Sequence, residues 1–169
     1  MDMPELILRG KLYNDRAFDL WWLFDEVDRA IMKAREKDLG QYDLTFEQSG
    51  ILHVLQIAGN EPTLSKISRM NLREPQSVSG IIDRMEKRGL VNKTRCLGKK
   101  NMIRVTLTEM GRQAYRNASI RDSIHDIMSV LSEKEYEQLW SCLTVLLTAA
   151  ITELEKYYRP HFLLPKTPK

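Results

Sequence analysis

The sequence predicts a mainly α chain with one small β-hairpin, in which a helix–turn–helix–hairpin unit sits between long helices. Three observations predict it. First, apolar residues recur at heptad-like spacing near both ends. Tyr13, Ala17, Leu20, Phe24, Val27, Ile31 and Ala34 form one seam, and Tyr136, Leu139, Leu143, Leu146, Ala150, Leu154 and Tyr157 the other. Second, the stretch from Thr63 to Arg104 has two short helical segments and then two β-like runs around Gly98, Lys99 and Lys100. Third, charge is sorted along the chain. Residues 60–104 hold eleven lysines and arginines against four acids, while the remainder holds fifteen against nineteen.

The elements follow in order. Residues 1–10 read as an N-terminal arm. A helix runs from Lys11 to about Lys37, its seam widened by Trp21, Trp22 and Leu23, and residues 38–43 with Gly40 form a connector. Thr45 and Gln48 make a capping box for a second helix that reaches about Ala58. Gly59, Asn60 and Pro62 turn the chain, and Thr63 or Ser65 caps a short helix ending at Met70. After a turn over residues 71–74, Pro75 suits a first helical position and Gly89 a left-handed stop. Leu90 to Cys96 and Met102 to Leu107 read as paired strands. Thr108 caps one helix from Glu109 to about Val130, and Ser132 with Glu135 opens the last long helix. Pro160, Pro165 and Pro168 mark a tail over residues 159–169. The domain reading is therefore a central unit over 45–107, with 11–38 and 108–158 as a helical dimerisation region.

Composition excludes several function classes. At 169 residues and 43% hydrophobic, the chain suits one domain with long appendages. A net charge of +3 says little, but a basic segment in an otherwise acidic chain is a nucleic-acid footprint. The two cysteines, Cys96 and Cys142, form no zinc spacing and fit a reducing cytoplasm. Cys96, beside Arg95, is the better candidate for a reactive thiol, and Cys142 among Trp140, Leu143 and Val145 reads as packing. His125 with Asp122 or Asp126 has helical spacing, but His53 and His161 do not extend it, so no metal site is expected. No nucleophile–base set and no Gly-rich phosphate loop is present, so neither catalytic residues nor a cofactor are expected. The first ten residues lack the pattern of a signal peptide, and the apolar run near Leu143 to Ile151 is too short for a bilayer. A cytoplasmic location without a membrane partner is the expectation.

The helix from Pro75 carries the most information. Val78, Ile82 and Met85 make an apolar stripe, with Ile81 at its edge. Gln76, Gly80, Asp83 and Lys87 occupy the opposite face, flanked by Ser77 and Arg84 on one shoulder and Ser79 on the other. Such a front suits a DNA major groove, about 12 Å wide. Gln76 is the base-edge candidate, because an amide pairs bidentately with adenine. Ser77 and Ser79 are candidates for bases or phosphates, and Gly80 for close backbone approach. Arg73, Arg84, Lys66 and Arg69 are candidates for phosphates, which position a protein without reading sequence. Asp83 is expected to pair with Lys87 or a nearby arginine. On the hairpin the tip lysines Lys99 and Lys100 are the leading DNA contacts, ahead of Lys93, Arg95 and Arg104. The terminal seams exceed what one small unit can cover, so they are expected to pack on each other and on a second copy. A two-fold dimer of this kind sets its reading helices about 34–36 Å apart and reads an inverted repeat in double-stranded DNA.

On these residues the chain resembles the MarR family of winged-helix transcriptional regulators (multiple-antibiotic-resistance type). Those that carry the likeness are Leu44, Thr45 and Gln48; Leu64 to Met70; Glu74 to Ser79; Ile82 to Val91; and the join Val105, Leu107, Thr108 and Gly111. The resemblance spans roughly residues 11–158 and implies a winged helix-turn-helix, an obligate homodimer, a palindromic operator, and repression relieved by a small ligand or by oxidation. It also implies an effector pocket between bundle and reading domain, for which Trp21, Trp22, Phe24, Tyr42, Phe46 and His53 are the candidates; read from the residues alone, the same aromatics fit the core and the dimer seam. The departure is in the wing. The family commonly carries Asp-x-Arg eight residues before the Leu-Thr pair, and here the slot reads Lys99, Lys100, Asn101. A lysine is a flexible point charge, not a planar fork, so the wing is expected to meet DNA with less geometric definition. Two other functional classes fit the composition: a winged-helix module that binds protein, and a small-molecule sensor without direct DNA reading.

Overall fold

The computed structural model of the chain describes residues 13–59, 61–95 and 102–157. Its elements run α1 (Arg16–Gly40), α2 (Phe46–Ile57), α3 (Leu64–Met70), α4 (Pro75–Lys87), β1 (Val91–Arg95), β2 (Ile103–Leu107), α5 (Glu109–Ala118), α6 (Asp122–Met128) and α7 (Glu133–Tyr157). The architecture is mainly helical with a small antiparallel sheet.

Local chemistry sets most of the boundaries. The Asp15 carboxylate accepts from the backbone N–H groups of Ala17 and Phe18, which fixes the start of α1. That helix continues through Gly40, into residues that the sequence reads as a connector. Both arms of the Thr45–Gln48 capping box are made, at 3.3 and 3.2 Å. Thr63, not Ser65, caps α3 by accepting from the Lys66 N–H. Pro75 opens α4, and Gly89 at φ +70° ends it. Ser132 and Glu135 cap each other at the start of α7.

The strands pair from Val91 opposite Leu107 to Arg95 opposite Ile103. Ahead of α3, Thr63 bridges to Arg104, and the Val105 N–H donates to the Pro62 carbonyl at 3.1 Å. The hairpin is thereby tied to the segment that launches the first helix of the motif.

The buried hydrophobic core is drawn from the last turn of α1 through α5. It comprises Leu39, Leu44, Ile51, Leu52, Val54, Leu55, Ile67, Val78, Ile81, Ile82, Met85, Leu90, Val91, Val105 and Ala118. Burying one such aliphatic side chain contributes about 1.5–3 kcal/mol, and this core is what backs α4. The outer helices contrast with it. Every residue from Glu133 to Ala150 is exposed, as are Phe18, Leu20, Trp21, Leu23, Phe24 and Val27 on α1. Among the described residues, no helix is long and apolar enough to cross a membrane.

One predicted element is corrected. The single helix expected from Glu109 to Val130 is two, broken at residues 119–121. The cause lies in α1. The buried Arg35 guanidinium donates to the Ala118 carbonyl at the end of α5 and, at 2.5 Å, to the Ile120 carbonyl in the break, so both bond a side chain. Asp38 then accepts from the Ser123 hydroxyl at 2.6 Å and backbone N–H at 3.3 Å, in the first turn of α6.

Candidate nucleic-acid interface

The α4 stripe of Val78, Ile82 and Met85 is fully buried, which turns the opposite face outward. Gln76, Ser77 and Arg84 are exposed there, and Ser79 and Gly80 are half-buried. An added Cβ at Gly80 would meet nothing closer than the Arg84 guanidinium at 3.9 Å. Packing within the chain therefore does not require glycine at this position.

A cleft of about 420 Å³ lies between the start of α2 and the front of α4. Arg73, Gln76, Ser77, Gly80 and Arg84 line it together with Thr45 and Glu47. The structure thus brings five of the sequence-derived candidates to one concave surface. Lys66, Arg69 and Ser79 do not line this cleft. The Lys66 ammonium donates to the Ala58 carbonyl at 3.3 Å, and Arg69 is half-buried.

The turn that aims α4 is pinned. Ser68, buried in α3, donates its hydroxyl to the Arg73 carbonyl at 2.5 Å, and the Arg73 N–H returns a bond to the Ser68 carbonyl at 3.1 Å. Leu72 between them has φ +50°, a left-handed conformation uncommon outside glycine. Arg73 in turn lies 3.6 Å from Glu47. The Glu47 carboxyl is held below the ordinary carboxylate range, first by its own backbone N–H, then by the Thr45 hydroxyl and by Arg73 and Arg84. At the far end of α4, Arg88 reaches Asp43 at 2.7 Å and the Gln48 amide oxygen at 3.0 Å. Neither Ser68 nor Glu47 stands out in the sequence, since the contacts that give each its role, to the Arg73 carbonyl and the Arg73 guanidinium, are made only once α2, α3 and the turn before α4 pack together.

Asp83 differs from expectation. Its partner is not Lys87 or an arginine but Lys93 on β1, at 2.5 Å, and Lys93 also meets Glu86 at 2.8 Å. Lys93 is thereby engaged within the fold. Arg95 is exposed at the end of β1, and Arg104 is half-buried with its guanidinium donating to the Glu61 carbonyl at 3.3 Å. Lys99, Lys100 and Cys96 lie outside the described residues.

The effector-pocket candidates fall into separate groups. Trp21 and Trp22 join Tyr13 and Phe18 in an aromatic cluster with ring centroids 4.7–6.2 Å apart, and Arg29 stands 5.6 Å over the Trp22 ring. Phe24 is exposed further along α1, Phe46 packs on the core, and His53 stacks on Tyr115 of α5 at 6.3 Å. Cys142, expected to pack, is exposed on the single chain, as are Trp140 and Val145 beside it. His125 is exposed, and no metal-binding group of three or more acidic, histidine or cysteine side chains occurs among the described residues.

Chemically, the surface offers amide, hydroxyl and guanidinium donors around the first turns of a rigidly backed helix. That set suits base edges and phosphate oxygens.

A family model described as MarR family matches residues 42–100. Among solved structures, the organohalide-sensing RdhR-CbdbA1625 transcriptional regulator, in its 2,4-dichlorophenol-bound form, is 30% identical, with TM-score 0.79 and 92% of each chain covered. MepR of S. aureus, solved with DNA, is 24% identical at TM-score 0.69, over 76% of this chain and 96% of its own. MarR of E. coli, solved as a mutant with operator DNA, is 19% identical at TM-score 0.73, over 81% and 99%. The last two are likenesses of fold. No curated protein sequence matches the chain.

Proposed function

The chain belongs to the MarR family of winged-helix transcriptional regulators, and from that premise we propose that it is a homodimeric repressor that binds an inverted repeat and is released by a small-molecule effector. The observation that carries the reading is α4 itself, with an apolar back fully buried and a front of Gln76, Ser77 and Gly80 beside Arg73 and Arg84. Gln76 reads a base edge, Ser77 and Ser79 contact bases or phosphates, and Gly80 admits the DNA backbone. Arg73, Arg84, Lys66 and Arg69 hold phosphates, and Lys99 and Lys100 add contacts from the wing.

Dimerisation is supported by the uncovered seams of α1 and α7. Repression follows from steric exclusion of polymerase, and release from a population shift toward a dimer whose reading helices no longer match the half-sites. The relative at 30% identity was solved with 2,4-dichlorophenol, which makes small aromatic molecules the first effector class to screen. Trp21, Trp22, Phe24, Phe46 and His53 are the pocket residues this reading assigns.

A titration of the chain against its own upstream DNA over a salt series tests the function. Binding that falls steeply with salt is expected, because phosphate contacts release counterions. Salt-insensitive binding of micromolar strength would favour the protein-binding module instead.

A further inference from the structure

The reading helix carries acid where it would meet DNA. Asp83 shares the helical face of Gln76, and Glu86 follows three residues on. Duplex DNA bears one negative charge per about 1.7 Å of its axis, so a bare carboxylate on that face and a second on its flank would oppose binding.

Both are met by one cation from the wing. The Lys93 ammonium lies 2.5 Å from Asp83 and 2.8 Å from Glu86, and the Lys93 backbone N–H donates to Glu86 at 3.2 Å. The Lys93 side chain is only 25% exposed, against 50% for Asp83. Its place is fixed by strand register, since Lys93 lies opposite the wholly buried Val105. The two carboxylates hold the ammonium above its ordinary pKa, so its charge persists at any physiological pH.

We propose that Lys93 is a positioning residue for DNA recognition: it cancels the carboxylates of Asp83 and Glu86 so that the front of α4 can close on a duplex, without touching DNA itself. The inference rests on the DNA-binding reading above. It removes Lys93 from the wing's DNA contacts and gives the acidic pair a defined partner.

A double-mutant cycle on the full chain tests it, read by fluorescence anisotropy with a labelled upstream duplex and a random one. K93R retains both ion pairs and should bind within about twofold of wild type. K93Q should weaken both duplexes about tenfold, a coupling of ordinary size for charges in contact. In a D83N/E86Q background the same K93Q change should cost less than about threefold, because no uncompensated carboxylate remains. If K93Q costs as much in that background, Lys93 touches DNA directly and the proposal is overturned; no effect of K93Q in the wild-type background overturns it too. Should K93Q alone fail to fold, the K93Q/D83N/E86Q chain against D83N/E86Q carries the comparison, with less than about a threefold difference expected. A wild-type chain that binds neither duplex refutes the DNA-binding reading, and this inference with it.

Discussion

Arg35 exerts influence far from its own helix. Its guanidinium serves two carbonyls more than eighty residues away and sits 3.6 Å from Asp38. Burial pulls its pKa down and Asp38 pushes it back, and a guanidinium stays protonated in either case. R35M leaves both carbonyls without their donor, and thermal or urea unfolding should register a loss of about 3 kcal/mol. The Asp38 carboxyl is held below its ordinary value, first by the Ser123 hydroxyl and also by the Ser123 N–H and Arg35. A depressed carboxylate contributes stability that is fully present above its unfolded pKa, about 3.9, and is lost as pH falls through the folded value. S123A removes the largest cause, so its stability should fall less steeply with acid below about pH 4 than that of wild type. An unchanged acid slope would mean that Ser123 is not what holds the Asp38 carboxyl down. On the reading face, Q76A should weaken the specific site about tenfold while leaving random DNA nearly unchanged, the signature of a base contact. K99A and K100A should weaken both alike; a change of sequence preference instead would mean that the wing reads bases.

At the scale of elements, what was legible in the sequence is what local chemistry decides. The Thr45–Gln48 box, Pro75 at a helix start, Gly89 at its end and the Ser132–Glu135 cap each act within a few residues, and each stands where the spacing predicts. The break between α5 and α6 was not legible, because its cause arrives from α1. The partner of Asp83 was hidden for a related reason: Lys93 is brought to it by the strand that follows, whereas Lys87 is near only along the helix. The front of α4 was readable from its period, but the cleft it shares with Thr45 and Glu47 depends on how α2 packs. Gly111 shows the same dependence. Thr108 donates to the Gly89 carbonyl at 2.6 Å and caps the Gly111 N–H at 3.0 Å, drawing α5 against the end of α4. A Cβ on Gly111 would stand 1.9 Å from the Leu90 carbonyl oxygen. G111A should therefore destabilise the fold at the upper end of about 1–3 kcal/mol, read as a lowered melting temperature. A neutral change would mean that this join can open without cost.

For the whole molecule, the chain divides by burial. The core lies within residues 39–118, while α7, 25 residues and about 38 Å long, leaves its apolar side chains uncovered. Leu143 and Leu146 are central to that uncovered seam. L143E/L146E should sediment as a monomer that keeps its helical circular dichroism, because the core does not include either residue. A variant that unfolds would instead tie the stability of each subunit to its partner. The proposed dimer holds a pair of α4 helices at a fixed spacing, and a gel shift on a footprinted operator measures that spacing. Inserting about five base pairs between the half-sites turns them to opposite faces of a helix of 10–10.5 base pairs per turn. Affinity should then fall to the level of random DNA. Full affinity for the lengthened operator, or for a single half-site, would contradict it.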